Sequence, residues 1–148
     1  MNWFPVLLVL HIGLAVSLLL PSVVLPFLLR RSAGEPGPVT RLLMAMQGTG
    51  TIVISLGLAL TGAALLWILG PELLTQPWLL VALTLYAINL AVAAFVSRPN
   101  LRRLIGLREA DNDDAWRRRA RQQRFVAYGM AGVIGIIGFL MSTKPSLW

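Results

Sequence analysis

The sequence predicts an all-α polytopic membrane protein, built as a bundle of four transmembrane helices. Of its 148 residues, 57% are hydrophobic, and the mean hydropathy is +0.74, whereas soluble domains are about 45–50% apolar. Four apolar stretches each have the roughly 20 residues that a helix needs to cross a bilayer. The alternating polarity of a transmembrane β-barrel is absent, and backbone groups in lipid must be satisfied within their own segment. The length suits a single transmembrane domain, residues 1–148.

Breaker residues separate the four predicted spans. The cluster at 34–38 follows the first span, Gly70 ends the second, and Pro77 opens the third. Pro99 is expected to close the third helix at Arg98, because the residue before a proline resists helical geometry. The predicted spans cover residues 6–29, 42–69, 78–97 and 125–142.

The basic residues predict the orientation of the bundle. Twelve of the 13 Lys and Arg side chains lie in the connections 30–41 and 98–124, whereas the connection 70–77 carries only Glu72. The positive-inside rule therefore places both basic connections in the cytoplasm and both termini outside, which gives an N-out/C-out protein.

The formal charge of +7 indicates that these arginines bind a negatively charged partner. They border apolar spans, so we expect anionic lipid headgroups on the cytoplasmic side, or a membrane-protein partner, rather than nucleic acid. The predicted surface for lipid or a partner consists of Arg102, Arg103, Arg108, Arg117, Arg118, Arg119 and Arg121.

The connection before the fourth span has helical patterns of its own. Leu101, Leu104 and Ile105 recur at helical spacing with arginines between them, which predicts a short cytoplasmic helix in the membrane interface. The acidic run 111–114 then favours a helix start. We expect one continuous helix over residues 112–141, with its first three turns projecting into the cytoplasm.

His11 is the only histidine, and it lies about one and a half turns inside the outer end of the first helix. Ionisable groups within a membrane are functional candidates. An imidazole here is able to ligate haem iron, chlorophyll magnesium or copper, or to carry a proton. Met141 lies at similar depth, so a His–Met pair is conceivable. The alternative is a neutral histidine hydrogen-bonded to a neighbouring helix, for example at Thr84.

Two further features have structural and functional interpretations. Asn89 lies near the middle of the third span, where it either bonds another helix or lines a carrier pocket beside a first helix kinked at Pro21 and Pro26. Glycine repeats every third residue in the fourth helix, which predicts close packing inside the bundle, with a homo-oligomeric contact as the alternative. The repeat is formed by Gly129, Gly132, Gly135 and Gly138.

No set of residues in the sequence matches a catalytic site. The absence of cysteine excludes disulfides, thiolate metal sites and cysteine nucleophiles, and no phosphate loop, nucleophile elbow or paired carboxylate site is present. The sequence therefore favours a non-catalytic membrane protein, either structural or an accessory subunit of a membrane complex. A haem-, chlorophyll- or copper-binding protein using His11 is the first alternative, and a small carrier is the second.

The second span is rich in glycine and threonine, and acidic and then basic residues lead into the fourth span. Further residues belong to the same whole-chain pattern: Leu10, His11, Ala15, Trp78, Leu79, Arg98 and Pro99. With these features the chain resembles domain-of-unknown-function family 2269, a group of integral membrane proteins of the bacterial inner membrane placed near the copper-resistance-D-like membrane proteins. The resemblance implies a four-helix bundle in which the histidine of the first span faces a possible site. In haem-associated relatives that histidine is accompanied by further polar residues, whereas this chain has no second histidine.

Overall fold

A computed structural model describes residues 2–31, 37–109 and 113–146. These residues form helices and turns and contain no strand, which confirms the predicted all-α class. The α-helices are α1 (Trp3–Arg31), α2 (Pro38–Ala45), α3 (Thr51–Leu69), α4 (Pro77–Val92), α5 (Arg98–Glu109) and α6 (Asp113–Thr143).

Two π-helical turns join consecutive α-helices into longer ones. The first, Met46–Gly50, connects α2 to α3, and the second, Ala93–Ser97, connects α4 to α5. A 3-10 turn, Pro71–Thr75, links α3 to α4. Four helices of the described chain are long and apolar enough to cross a membrane, as predicted: Trp3–Leu28, Pro38–Leu69, Pro77–Gly106 and Asp113–Thr143.

The third long helix does not end at Arg98 and Pro99, contrary to the sequence prediction. The π turn before Pro99 widens the helix, and the N–H of Arg98 donates to the carbonyl of Ala93, five residues earlier. A widened turn changes the register of the backbone bonds, so the missing N–H of a proline is accommodated without breaking the helix. The chain therefore stays helical to Glu109, while the membrane boundary at residue 97 stays a prediction.

α6 lies between α1 and α4 and packs against both, while α1 also packs against α3. Within the most apolar window of each long helix, only 17 to 22% of residues are buried inside the protein. Most apolar side chains therefore face outward, where lipid is the solvent for an integral membrane protein. The predicted continuous helix before and through the fourth span is confirmed as α6, and Asn112 lies outside the described residues.

An apolar core lies at the basic end of the bundle, which we define as the end that holds α2, α5 and the first turns of α6. Residues from all four long helices meet there: Leu25, Leu43, Met44, Leu101, Leu104, Trp116 and Ala120.

This basic-end core changes the interpretation of α5. Leu101 and Leu104 are buried in the protein, and only Ile105 of the predicted apolar face is exposed. α5 and the first turns of α6 therefore pack against each other, and their positions relative to the membrane interface and cytoplasm stay predictions.

The glycines of α6 do not pack inside the bundle, so that prediction was wrong. A Cβ atom built at any of the four would meet no described atom within 4 Å. The buried face of α6 is formed instead by larger side chains, among them Gln123, Ala127 and Met130. Close glycine packing occurs on α3, where a Cβ at Gly57 would lie 3.4 Å from a methyl carbon of Leu14.

Candidate functional site

His11 is held by α3. Its ring nitrogen Nδ1 lies 2.9 Å from the hydroxyl oxygen of Thr61. The predicted partner, Thr84, is wrong, because Thr61 on α3 is the residue that pairs with His11, while the hydroxyl of Thr84 donates to the carbonyl of Leu80 on its own helix at 2.8 Å. The difference follows from the helix arrangement, since α1 packs mainly on α3 and α6 rather than on α4.

The hydrogen bonds of the Thr61 hydroxyl favour the tautomer of His11 that carries its proton on Nδ1. Its oxygen lies 3.0 Å from the carbonyl oxygens of both Gly57 and Leu58, and a threonine hydroxyl has only one hydrogen to donate. When that hydrogen goes to a carbonyl, the oxygen accepts from Nδ1–H of His11. The neutral imidazole then has its lone pair on Nε2.

Gly62 provides the space for the imidazole ring. A Cβ atom at this position would lie 3.3 Å from Cε1 of His11, which is closer than an ordinary van der Waals contact. Because the side chain of His11 is half-buried, α3 supports one side of the ring through Thr61 and Gly62. The sequence contained a signal for this pair in its adjacent threonine and glycine, but spacing alone did not show that they face His11.

An anchored imidazole with one free lone pair has the geometry of a metal or tetrapyrrole ligand. Metal-binding histidines almost always donate their second ring N–H to a fixed acceptor, which sets the tautomer and the ring orientation. The described residues contain no group of three or more His, Cys, Asp or Glu side chains that could hold a metal ion. A ligand at His11 would therefore bring its own coordinating atoms or be completed by another molecule.

Met141, the predicted second ligand, packs in the apolar cluster between α4 and α6. This cluster is built around Trp78, Leu79 and Leu140. Its side chain therefore has a structural role in joining the two helices, and the His–Met pair stays a prediction.

Two polar side chains of α4 lie near the middle of the bundle, and one of them bonds α3. The hydroxyl of Tyr86 donates to the backbone carbonyl of Ser55, and Asn89 is buried one turn further along α4. Pro21 and Pro26 are buried within α1, which is helical throughout. A carrier pocket at Asn89 and a kink in α1 both stay predictions.

A second polar cluster, which the sequence prediction missed, joins the third long helix to α6. Nδ2 of Asn100 donates to Oε1 of Gln123 at 2.9 Å, and Nε2 of Gln123 donates to the hydroxyl of Ser97 at 2.9 Å. Arg119 completes the chain through an Nη1 bond of 3.3 Å to Oδ1 of Asn100. The i,i+3 spacing of Ser97 and Asn100 and the i,i+4 spacing of Arg119 and Gln123 place each pair on one helix face. The sequence prediction places Ser97 at the end of a span and Asn100 in a connection, so it does not bring the two pairs together.

The predicted arginine surface is largely exposed at the basic end. Arg119 is the exception, since it is half-buried and bonded to Asn100, and the side chain of Arg108 lies outside the described residues. The exposed members are Arg102, Arg103, Arg117, Arg118 and Arg121.

Comparison with protein families gives a match over residues 5–145 to the family described as "Predicted integral membrane protein (DUF2269)". The match covers all four long helices, including His11 and the polar cluster around Gln123. Comparisons with curated proteins and with solved structures give no match.

Proposed function

The chain belongs to the DUF2269 family of predicted integral membrane proteins, and from this premise we propose that it is a non-catalytic accessory subunit of a complex in the bacterial inner membrane. The outward face of α6 carries this proposal. Gly129, Gly132, Gly135 and Gly138 are exposed on that face, and none packs against a described atom of the chain.

Such a face suits another transmembrane helix. Small residues let two helix backbones approach closely, and association in lipid depends on that packing, because the lipid chains are as apolar as the helices. Exposed aromatic side chains border the glycines, with Phe125 66% and Phe139 64% exposed. These rings add contact area beside the close backbone approach. Lipid alone would cover the apolar surface, but it gains nothing specific from a row of glycines.

The test is the mass of the protein after gentle extraction into detergent or nanodiscs. We expect a complex with a second membrane protein or a second copy, and we expect Gly132→Leu to release the chain as a monomer. Gly13→Leu is the matched control, because Gly13 is also exposed on a long helix with open space around it, and it should retain the complex. A native monomer that turns over a substrate would contradict the proposal.

The geometry of His11 supports a second candidate function, the binding of haem, chlorophyll or copper. The supporting observation is the 2.9 Å contact between Nδ1 and Thr61, which leaves the Nε2 lone pair for an axial or copper bond. Tetrapyrroles supply four of their own nitrogen ligands, so one protein imidazole is sufficient chemistry for axial ligation. This function is compatible with an accessory subunit that holds a cofactor for its complex.

Visible absorption spectra of the protein purified from cells supplied with haem and copper test this candidate. A Soret band or a copper signal should disappear in His11→Ala and weaken in Thr61→Val. Thr84→Val is the matched control, because the Thr84 hydroxyl bonds only its own helix among the described residues, and it should leave the spectrum unchanged. A colourless, metal-free native preparation would exclude the cofactor function while leaving the subunit proposal standing.

The exposed arginines at the basic end support a partner assignment, namely anionic lipid headgroups of the cytoplasmic leaflet. A basic side chain near such a surface contributes about 1 kcal/mol of attraction. In this proposal the arginines of α5 and α6 hold the basic end against the inner leaflet, with both termini on the opposite side.

A further inference from the structure

Gln47 is fully buried in the first π turn, with 0% of its side chain exposed. No described residue hydrogen-bonds to its Oε1 or its Nε2. Buried amides nearly always have partners, and one without any marks a site that some other molecule completes, or a source of strain. The π turn favours a site that another molecule completes, because such turns occur frequently at functional sites.

The local backbone uses the hydroxyl nearest to the amide. Thr51 lies one turn after Gln47, and its Oγ1 lies 2.8 Å from the carbonyl oxygen of Gln47 and 3.1 Å from that of Met46. The hydroxyl therefore serves carbonyls of the widened turn. Its single hydrogen is not free for the side chain of Gln47.

A second unpartnered group belongs to the other π turn. Nε of Arg98 is buried and has no hydrogen-bond partner among the described residues, and Arg98 follows directly on the turn Ala93–Ser97. The two π turns pack against each other. Gln47 lies in one of these packed turns and Arg98 directly follows the other. This part of the bundle therefore contains two unpartnered donors, Nε2 of Gln47 and Nε of Arg98, and one unpartnered acceptor, Oε1 of Gln47.

These three atoms define the chemistry of the ligand. An anion would pair with the guanidinium of Arg98 and with Nε2 but leave the buried Oε1 without a donor, whereas a cation would satisfy Oε1 but face the positive charge of Arg98. A small neutral molecule that accepts two hydrogen bonds and donates two fits all three, and water has this valence. The residue before Arg98 is polar as well: Ser97, the last residue of the second π turn, is fully buried and bonded to Gln123.

We propose that the two π turns enclose an internal hydration site in which Gln47 and Arg98 bind ordered water. The site holds α2 and α3 against α4 and α5 through bound water, next to the direct bonds between Ser97, Gln123 and Asn100. Buried water of this kind is part of a protein structure and is costly to remove. The site is independent of the α6 glycine face and of His11.

The sign of a stability change tests the proposal. Gln47→Met keeps the length of the side chain and removes both polar atoms. If water binds there, the variant loses its hydrogen bonds, and the melting temperature in detergent should fall by several degrees. Gln76→Met is the matched control at an exposed glutamine and should change it little. A higher melting temperature for Gln47→Met would overturn the proposal, because removing an unhydrated and unpaired amide stabilises a protein.

Hydroxyl-radical footprinting with X-rays gives a second readout. X-rays convert ordered internal water to hydroxyl radicals, and these oxidise neighbouring side chains that bulk solvent does not reach. Met44 lies one turn before Gln47 and is only 3% exposed. We expect Met44 to be oxidised in the native protein and oxidised several-fold less in Gln47→Leu, with the yield at buried Met130 unchanged. No oxidation of Met44 above background in the native protein would overturn the hydration site.

Discussion

At the scale of single residues, the ring of His11 fills the space that a side chain at Gly62 would need. The sequence identified His11 as the chief candidate because it is the only histidine and lies within an apolar span. It did not identify Thr61 as the partner, because the pairing depends on which helices are neighbours. By predicted depth in the membrane, Thr84 and Thr61 are equally good candidates for the partner of His11. Only the packing of α1 on α3 distinguishes them.

Gly62→Ala should destabilise the protein by about 1 kcal/mol, because the added Cβ would lie 3.3 Å from Cε1 of His11 and overpacking moves side chains from their best positions. Gly13→Ala is the control, since nothing described lies within 4 Å of its Cβ and alanine favours a helix. Unfolding in mixed micelles by titrated denaturing detergent measures both. Equal stability for the two variants would show that the ring of His11 is not held against Gly62.

At the scale of helices, the polar cluster of Ser97, Asn100 and Gln123 fastens the third long helix to α6. The sequence predicted four apolar helices because their composition and length suffice for that. It placed the end of the third helix at Pro99 because the rule for prolines assumes a regular α-helix. The sequence pattern does not show the π turn before Pro99, and in this widened turn the rule does not hold. The helix therefore continues to Glu109.

Gln123→Leu should lower the free energy of unfolding by about 2 kcal/mol, because it leaves the buried amide of Asn100 and the hydroxyl of Ser97 without their bonds to residue 123. The neighbouring Gln122 is exposed, so Gln122→Leu should change stability by less than about 0.5 kcal/mol. The same detergent titration measures this pair. Similar losses for the two variants would indicate that the cluster contributes little to holding the helices.

At the scale of the whole molecule, the predicted topology has both termini outside and the basic end in the cytoplasm. The chain has no cysteine, so single cysteines report their side without background. Thr75→Cys and Ser146→Cys should react with an impermeant maleimide in spheroplasts, whereas Arg103→Cys should react only after permeabilisation. The reverse labelling pattern would contradict the positive-inside assignment.

The basic end should also retain anionic lipid. Replacing Arg117, Arg118 and Arg121 by glutamine removes three exposed charges, which corresponds to a loss of about 3 kcal/mol of attraction near an anionic surface. Native mass spectrometry of nanodisc-derived protein should show fewer bound anionic lipids in this variant, with the loss larger at low salt. Unchanged lipid retention would point to the protein partner as the ligand of these arginines.

Each of the two π turns takes up one extra residue inside a long helix, so the helix faces before and after the turn stay aligned. Each widened turn holds one residue more than a regular α-helix would need for the same advance. Deleting one residue within Met46–Gly50 would convert the turn to regular α-helix and leave the alignment of α2 and α3 nearly unchanged. Deleting one residue within α3 near the turn would instead rotate α2 by about 100° relative to the rest of α3 and carry Leu43 and Met44 out of the basic-end core. We therefore expect the second long helix to tolerate the loss of one residue within the π turn far better than the same loss within α3.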